Sequence, residues 1–132
     1  MTLEHTNVTA IRDLFTALRE RDATTIARLL PEDAAWRFPG RRGKLAGEHR
    51  GREAILRFLA SVMTLTDGTF ELKLEDVVGG DDHVIVLFTG HAQRHGKTLE
   101  NPTCLRIEMR NGLPSEFREF VWDLDHVDDF WA

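Results

Sequence analysis

The sequence lacks the features that mark disulfide-rich, transmembrane and secreted proteins. Its single cysteine, Cys104, excludes an internal disulfide bond and suits a reducing compartment. It has no tyrosine, so no phenolic hydroxyl group is available as a proton donor. No apolar run approaches the ~20 residues that a transmembrane helix needs. The first ten residues lack the basic start and apolar stretch of a signal peptide, so we expect a cytoplasmic protein outside the membrane.

The composition predicts one ordinary globular domain over residues 1–132. The chain is 42% hydrophobic and 30% charged, which is typical of a folded domain. Its net charge of −5 argues against nucleic acid as a partner. Residues 37–57 hold seven basic and two acidic residues, so this segment carries +5 and the rest −10. The segment is either a solvated loop or a site for a small anion.

Apolar spacing predicts three helices. The first covers residues 7–21, where apolar residues recur every three or four positions. Asp22 then reads as the N-cap of a second, short helix, which Pro31 ends. The third helix covers residues 52–63 and follows a glycine-rich loop over residues 40–51.

The remaining segments predict strands. The first is a short strand over residues 34–39, and alternation of apolar and charged residues marks another over residues 70–75. The apolar run Val84–Phe88 predicts a central strand covered on both faces. Two more strands, over residues 99–109 and 116–123, flank the turn at Asn111-Gly112. The order α-α-β-α-β-β-β-β predicts an α+β fold, with a curved antiparallel sheet wrapped over three helices around a pocket.

Short motifs along almost the whole chain carry a family resemblance. They are the helix pair around Asp22, Trp36-Arg-Phe-Pro39, Gly51-Arg-Glu-Ala-Ile55, Gly96-Lys-Thr-Leu-Glu-Asn101 and Asp128-Asp-Phe-Trp131. In this order they resemble SnoaL-like proteins, of the superfamily that holds ketosteroid isomerases, limonene epoxide hydrolases and nuclear transport factor two. The resemblance implies a cone-shaped α+β barrel with a deep, mostly apolar pocket, commonly a homodimer. It does not imply a reaction, because this fold serves enzymes, binding proteins and dimerisation modules.

Most catalytic residues of those enzymes have no counterpart here. By the resemblance, the oxyanion-binding tyrosine of ketosteroid isomerases falls at Leu14 and their carboxylate base at Phe38. Steroid isomerisation by the known route is therefore not expected. The arginine and aspartate of limonene epoxide hydrolases are missing from the central strand. SnoaL-type cyclases place an acid/base aspartate after a tryptophan on the last strand, as Trp122-Asp123 stands here.

The end of the last strand supplies the main catalytic prediction. Asp123 follows an apolar strand, and a carboxylate that faces an apolar pocket can exchange protons near neutral pH. Regular alternation groups Asp123 with Val121, Glu119 and Phe117, although a one-residue bulge would exchange the faces. His126 could polarise a carbonyl group or share a proton with Asp123. The other interpretation is a strand-end carboxylate that lies in solvent or caps the next turn.

Seven further residues are predicted to bind the ligand. They are Trp36, Phe38, His49, Phe58, His91, Asn101 and Trp122. The aromatic members are pocket wall or core. His91 is a ligand-binding or a hydrogen-bonded core residue, and His49 lies on a loop that could act as a lid or lie on the surface. Asn101 falls, by the resemblance, near a second oxyanion donor. The histidine spacing predicts no metal site, and no cofactor is implied.

Together these features predict a small cytosolic enzyme that binds a hydrophobic molecule with a carbonyl group or several rings. Its chemistry would be proton transfer, as in isomerisation, cyclisation, hydration or dehydration. A non-catalytic protein that holds a small ligand in the same pocket is the alternative. A third possibility is an assembly module, and a homodimer through the sheet is expected in each case.

Overall fold

The computed structural model describes residues 4–132, so residues 1–3 of the predicted domain lie outside the described part of the chain. The helices are α1 (Thr6–Glu20), α2 (Ala23–Leu29), α3 (Arg52–Leu65) and α4 (Leu124–Trp131). The strands are β1 (Ala35–Phe38), β2 (Gly47–Arg50), β3 (Glu71–Gly79), β4 (His83–Arg94), β5 (Lys97–Arg110) and β6 (Leu113–Val121). None of the helices within residues 4–132 is long and apolar enough to cross a membrane.

The strands form a six-stranded sheet in the order β2-β1-β6-β5-β4-β3. Neighbouring strands are antiparallel except β1 and β6, which run parallel. The expectation of a wholly antiparallel sheet is therefore wrong at one pair. Register shifts between Leu74 and Asp76 and between Glu108 and Met109 mark bulges, which bend strands. The sheet curls without closing, and the predicted α+β class is confirmed.

The first two helices follow their sequence signals. The buried face of α1 includes Val8, Ile11, Leu14 and Phe15. Asp22 caps α2, since its carboxylate accepts a hydrogen bond from the backbone N–H of Thr25 at 3.1 Å. This bond satisfies one of the N–H groups that a helix start leaves unpaired. Both predicted helices are confirmed, with α1 one residue earlier than expected.

Two elements were not predicted. β2 lies inside the glycine-rich loop and has the sequence Gly-Glu-His-Arg, which lacks apolar alternation. Backbone pairing with β1 makes it a strand. α4 occupies the acidic segment after the last predicted strand, where no helix was expected. It buries Val127, Phe130 and Trp131, which share one helix face because they are three and four residues apart.

The apolar run Val84–Phe88 is covered on one face and open on the other. Val84 and Val86 are 0% exposed on the face that meets the helices, whereas Leu87 is 37% exposed. The expectation that both faces are covered is therefore wrong for the single chain. The outer face of the sheet also carries Phe120, which is 51% exposed.

Asp128 joins α4 to the loop between β1 and β2. Its carboxylate accepts hydrogen bonds from the backbone N–H groups of Arg41, Arg42 and Gly43, at 2.9, 3.1 and 3.0 Å. These bonds hold the pKa of Asp128 below its usual range. The fit is close, because a Cβ atom at Gly40 would collide with Asp128 Oδ1. This part of the basic loop therefore binds a carboxylate of its own chain.

We expect Asp128→Ala to lower Tm by several degrees at neutral pH, since three backbone N–H groups lose their acceptor. A lowered folded-state pKa means that Asp128 stabilises the fold above the ordinary carboxyl pKa of about 4. That contribution is lost as the pH falls through the lower folded-state pKa. The difference in Tm between the variant and the wild type should therefore shrink in acid, which thermal unfolding at a series of pH values measures.

Asp129→Ala is the matched control. Asp129 is the next residue of α4, is exposed, and forms an ion pair with Arg42 at the surface. Surface ion pairs contribute little to stability, so this variant should unfold close to the wild type. Equal losses in the two variants would contradict the role given to Asp128.

Candidate functional site

A cluster of aromatic rings lines the inner face of the sheet. Trp36 of β1 stacks on Phe117 of β6, with ring centroids 4.3 Å apart. Phe58 of α3 contacts Trp36, Phe38 of β1 and His49 of β2, at centroid distances of 5.5, 5.5 and 4.4 Å. The aromatic cluster (Trp36, Phe38, His49, Phe58 and Phe117) therefore brings together four of the predicted ligand-binding residues.

Glu119 places a carboxyl group at this cluster. It lies opposite buried Leu105 of β5 and two residues after Phe117, so its side chain shares the inner face with Phe117. Trp36 Nε1 donates a hydrogen bond to Glu119 Oε1 at 3.3 Å. Burial raises the pKa of Glu119 to about 8, although the Trp36 hydrogen bond opposes the rise. Glu119 is therefore mostly protonated and uncharged at neutral pH.

The second oxygen atom of Glu119 remains open to an incoming group. Among residues 4–132, Trp36 is the hydrogen-bond partner of the carboxyl group, and it contacts Oε1. Oε2 has no protein partner in that range, but it is not sealed from water and the side chain keeps partial exposure. A ligand oxygen atom could therefore approach Oε2.

Other polar groups lie in the interior. His49 Nε2 lies 2.8 Å from the backbone oxygen of Leu45, which can only accept, so the proton of the neutral ring belongs on Nε2. Asn101 is 6% exposed on the inner face of β5, and its Oδ1 atom has no partner within residues 4–132. In the same range, Trp131 Nε1 is also buried without a partner. Unpaired buried polar atoms are costly, so Asn101 and Trp131 are candidate contacts for water or a ligand.

The structure places Asp123 away from the interior. It is exposed, and its Oδ1 accepts a hydrogen bond from the backbone N–H of His126 at 3.1 Å as the N-cap of α4. Of the two interpretations of Asp123, the structure therefore shows the exposed capping carboxylate and not the one that faces an apolar pocket, because β6 ends at Val121 and the chain then turns into a helix. The His126 ring instead accepts a hydrogen bond from the backbone N–H of Glu100 at 3.2 Å. Their catalytic roles remain predictions that this geometry does not favour.

Two predicted ligand-binding residues also lie outside the inner face. Gly90 and Ala92 are buried on the inner side of β4, so His91 between them faces the outer side. Trp122 is 87% exposed. The structure does not bring either residue to the aromatic cluster, because strand alternation and the end of β6 direct them outward.

Two surface depressions lie apart from Glu119. One, of about 470 Å³, lies between the Lys44-Leu45 segment and the outer side of α3, and the other, of about 300 Å³, surrounds the start of α3. Neither is lined by a member of the aromatic cluster. The candidate site is therefore chosen by the chemistry of Glu119 and not by either depression.

The arrangement suits proton transfer to an oxygen atom. A neutral carboxyl group in an apolar environment can donate a proton and later take it back. The aromatic rings beside it offer apolar contact to a ring or alkyl group.

Within residues 4–132, no group of three or more His, Cys, Asp or Glu side chains is arranged to hold a metal ion.

Comparison with known proteins identifies the family. Residues 11–117 match the SnoaL-like domain. The chain belongs to the SnoaL-like family. The solved structure of Bal32a, from a soil-derived mobile gene cassette, is similar to this chain, with 36% sequence identity and a TM-score of 0.92. The similarity covers 96% of this chain and 97% of Bal32a. The resemblance predicted from the sequence motifs is confirmed.

Two more distant relatives of this SnoaL-like chain also match it over nearly its whole length. A protein of unknown function from Xanthomonas campestris, solved as a cystatin-like fold, is 25% identical with a TM-score of 0.88. The similarity covers 96% of this chain and 98% of that one. An uncharacterized protein of Mycobacterium tuberculosis is 28% identical over 123 residues, which cover 92% of this chain and 93% of the relative. The similarity thus extends over nearly the whole domain.

Glu119 was not among the predicted site residues, although the sequence carries a signal for it. Phe117, Glu119 and Val121 alternate onto one face of β6, and a carboxylate is rare between apolar residues of a buried face. The sequence prediction favoured Asp123 instead, because it follows Trp122 as in SnoaL-type cyclases. That choice required β6 to continue through residue 123.

We expect Glu119→Gln to change how stability depends on pH. The folded state keeps the Glu119 proton up to about pH 8, whereas an unfolded glutamate loses it near 4.3. The folded state therefore binds more protons between these values, and wild-type stability should fall as the pH rises through them. Glutamine resembles the protonated form, so the variant should match the wild type at about pH 4 and below, and its Tm should exceed that of the wild type increasingly up to about pH 8. Thermal unfolding across this range measures the effect.

Glu116→Gln is the control for this experiment. Glu116 lies on the same strand but on the outer face, where it pairs with Arg37 and Arg118. It should leave the pH dependence of Tm above neutral pH as in the wild type. A Glu119→Gln profile parallel to the wild type would show that Glu119 is ionised in the folded protein.

Proposed function

We propose that this SnoaL-like protein is a cytosolic enzyme that transfers a proton to and from a small hydrophobic molecule with a carbonyl group. Isomerisation, cyclisation, and hydration or dehydration all include such a step. The observation that carries the proposal is Glu119, a carboxyl group with a raised pKa and one open oxygen atom beside an aromatic wall. Perturbed carboxyl groups in enclosed sites are typical of acid/base catalysis.

In the proposed step, protonated Glu119 donates its proton to the carbonyl oxygen of the bound molecule. Water accepts a proton from the adjacent carbon atom, and the bound molecule becomes an enol. The reverse step returns a proton to carbon and the other to Glu119. Trp36, Phe38 and Phe58 would hold the apolar part of the molecule, since their rings form the wall next to this carboxyl group.

The alternative is a non-catalytic protein that binds a small ligand. The surroundings of Glu119 favour this alternative in one respect: its hydrogen-bond partner among residues 4–132 is the indole of Trp36, which is neither a general acid nor a general base, and binding needs no second acid or base. In that case Glu119 would contribute a hydrogen bond to the ligand and no reaction. The two candidates differ in whether bound ketone exchanges protons with water.

We expect the protein to accelerate exchange of the α-protons of 1-tetralone, a bicyclic ketone, in deuterated water. Glu119→Gln should lower the rate by roughly 100-fold, because it removes the general acid. The wild-type rate should fall as the pH rises through about 8, where Glu119 loses its proton. Proton NMR of the ketone measures the exchange.

Glu116→Gln serves as the control, because it removes a carboxylate from the outer face of the same strand. It should exchange at the wild-type rate. If 1-tetralone binds to the wild type but exchanges no faster than in buffer, the enzyme proposal fails and the binding protein is favoured. Equal exchange in wild type and Glu119→Gln would remove Glu119 from the mechanism.

We also propose that a second copy of the chain covers the outer face of the sheet. Val78, Leu87 and Phe120 expose apolar surface there, at 47, 37 and 51%. Arg118 and Glu116 lie beside them with opposite charges, so the face can complement itself across a twofold axis.

Phe120→Glu should therefore shift the protein from dimer to monomer, because it places a charge in the apolar part of the proposed interface. Light scattering after size-exclusion chromatography measures the mass. Leu113→Glu is the control, since Leu113 is also 40% exposed but lies beside the β5–β6 turn. A wild-type protein that is monomeric at micromolar concentration would contradict the proposal.

A further inference from the structure

We propose that Trp36 is a positioning residue that decides which oxygen atom of Glu119 carries the proton. The site would then recognise ligands through an oxygen atom that accepts a hydrogen bond. The choice of ligand rests on the proposed function, whereas the orientation of the carboxyl group rests on the contacts of Trp36 alone.

The Trp36 ring is held on two sides. It is 4% exposed, and it stacks nearly parallel on Phe117, with 10° between the ring planes. Phe58 packs against it at 47°. With both rings in place the indole cannot turn freely, so its N–H group stays directed at Glu119 Oε1. The donor is therefore preorganised before any ligand arrives.

The indole N–H group can only donate, so the Glu119 oxygen atom that it contacts must accept. The carbonyl oxygen of a neutral carboxyl group is a stronger acceptor than its hydroxyl oxygen, so the indole favours the form with the proton on the other oxygen atom, Oε2. Oε2 has no partner among residues 4–132 and is not sealed from water. Glu119 therefore presents an O–H donor to the interior. Ketones, esters and ethers fit this donor, whereas an amine that is protonated does not.

Few other groups act on this carboxyl group. Leu105 lies opposite Glu119 on β5. On the other side, Phe38 of β1 lies level with Glu119, because the preceding residues of the two strands, Arg37 and Arg118, are paired. His49 is a titratable side chain on the same inner face and packs against Phe58. The charges of Arg118 and Glu116 lie on the outer face of β6. A change at Trp36 is therefore expected to reach Glu119 through one hydrogen bond.

The first test follows the indole N–H signals of the wild-type protein by NMR as the pH is raised. The chain has three tryptophans. The Trp36 signal should move with a midpoint near pH 8, together with the side-chain carbon of Glu119, because a carboxylate is a stronger acceptor than a carboxyl group. The signals of Trp122 and Trp131 should not follow this midpoint. This measurement needs no variant and so does not depend on whether one folds.

The second test compares Trp36→Phe with Trp122→Phe, which removes a tryptophan that lies in solvent. Trp36→Phe should raise the pKa of Glu119 further, because it removes the hydrogen bond that lowers it. Trp122→Phe should leave it unchanged. The preference for 1-tetralone over tetralin, which lacks the oxygen atom, should fall several-fold in Trp36→Phe. If Trp36 acted only by packing, the smaller ring would let water in and the pKa of Glu119 would fall instead of rise.

The outcomes separate this inference from the proposed function. If the Trp36 signal does not follow Glu119, or if Trp36→Phe leaves the Glu119 titration unchanged, Trp36 does not position the carboxyl group. If the Trp36 signal follows Glu119 and 1-tetralone shows no exchange, the positioning role stands and the enzyme proposal fails.

Discussion

The Asp128 carboxylate holds together the parts of the molecule that surround the candidate site. It accepts hydrogen bonds from the backbone of the loop between β1 and β2, and it thereby fixes α4 beside that loop. The same loop contains Leu45, whose backbone oxygen orients the His49 ring against Phe58. Trp131 of α4 packs edge-on against Phe38. One buried anion thus connects the last helix to the wall of the site.

Glu119 places a carboxyl group on a mostly apolar inner face. Leu105 lies opposite it and Phe117 lies two residues before it, and its carboxyl group receives one hydrogen bond from the described residues. Such a group destabilises the fold at high pH, since ionisation would leave a charge in an apolar environment. Destabilising groups of this kind are expected at functional sites. Glu119 is therefore a better candidate for the catalytic acid than the exposed Asp123.

The SnoaL-like fold permits a carboxyl group to enter the interior from more than one strand. By the resemblance, ketosteroid isomerases place their base at the position of Phe38. In this chain Glu119 lies level with Phe38 on the adjacent parallel strand β6, since Arg37 pairs with Arg118. The absence of the isomerase residues therefore does not leave the interior without an acid. The acid of this chain lies one strand away from the isomerase position, on β6, and the indole N–H group of Trp36 donates a hydrogen bond to it.

The sequence alone determined α1, α2 and α3, the main strands and the family, because helix spacing, caps and turn residues act over short stretches of chain. It did not reveal β2, which is a strand only through pairing with β1, nor the start of α4 at Asp123. Only the tertiary structure decided that Glu119 meets the interior. Its environment depends on the end of β6, on the register with β5 and on Trp36, which is 83 residues away in the chain. Burial and pKa are set by such distant neighbours, and no local pattern encodes them.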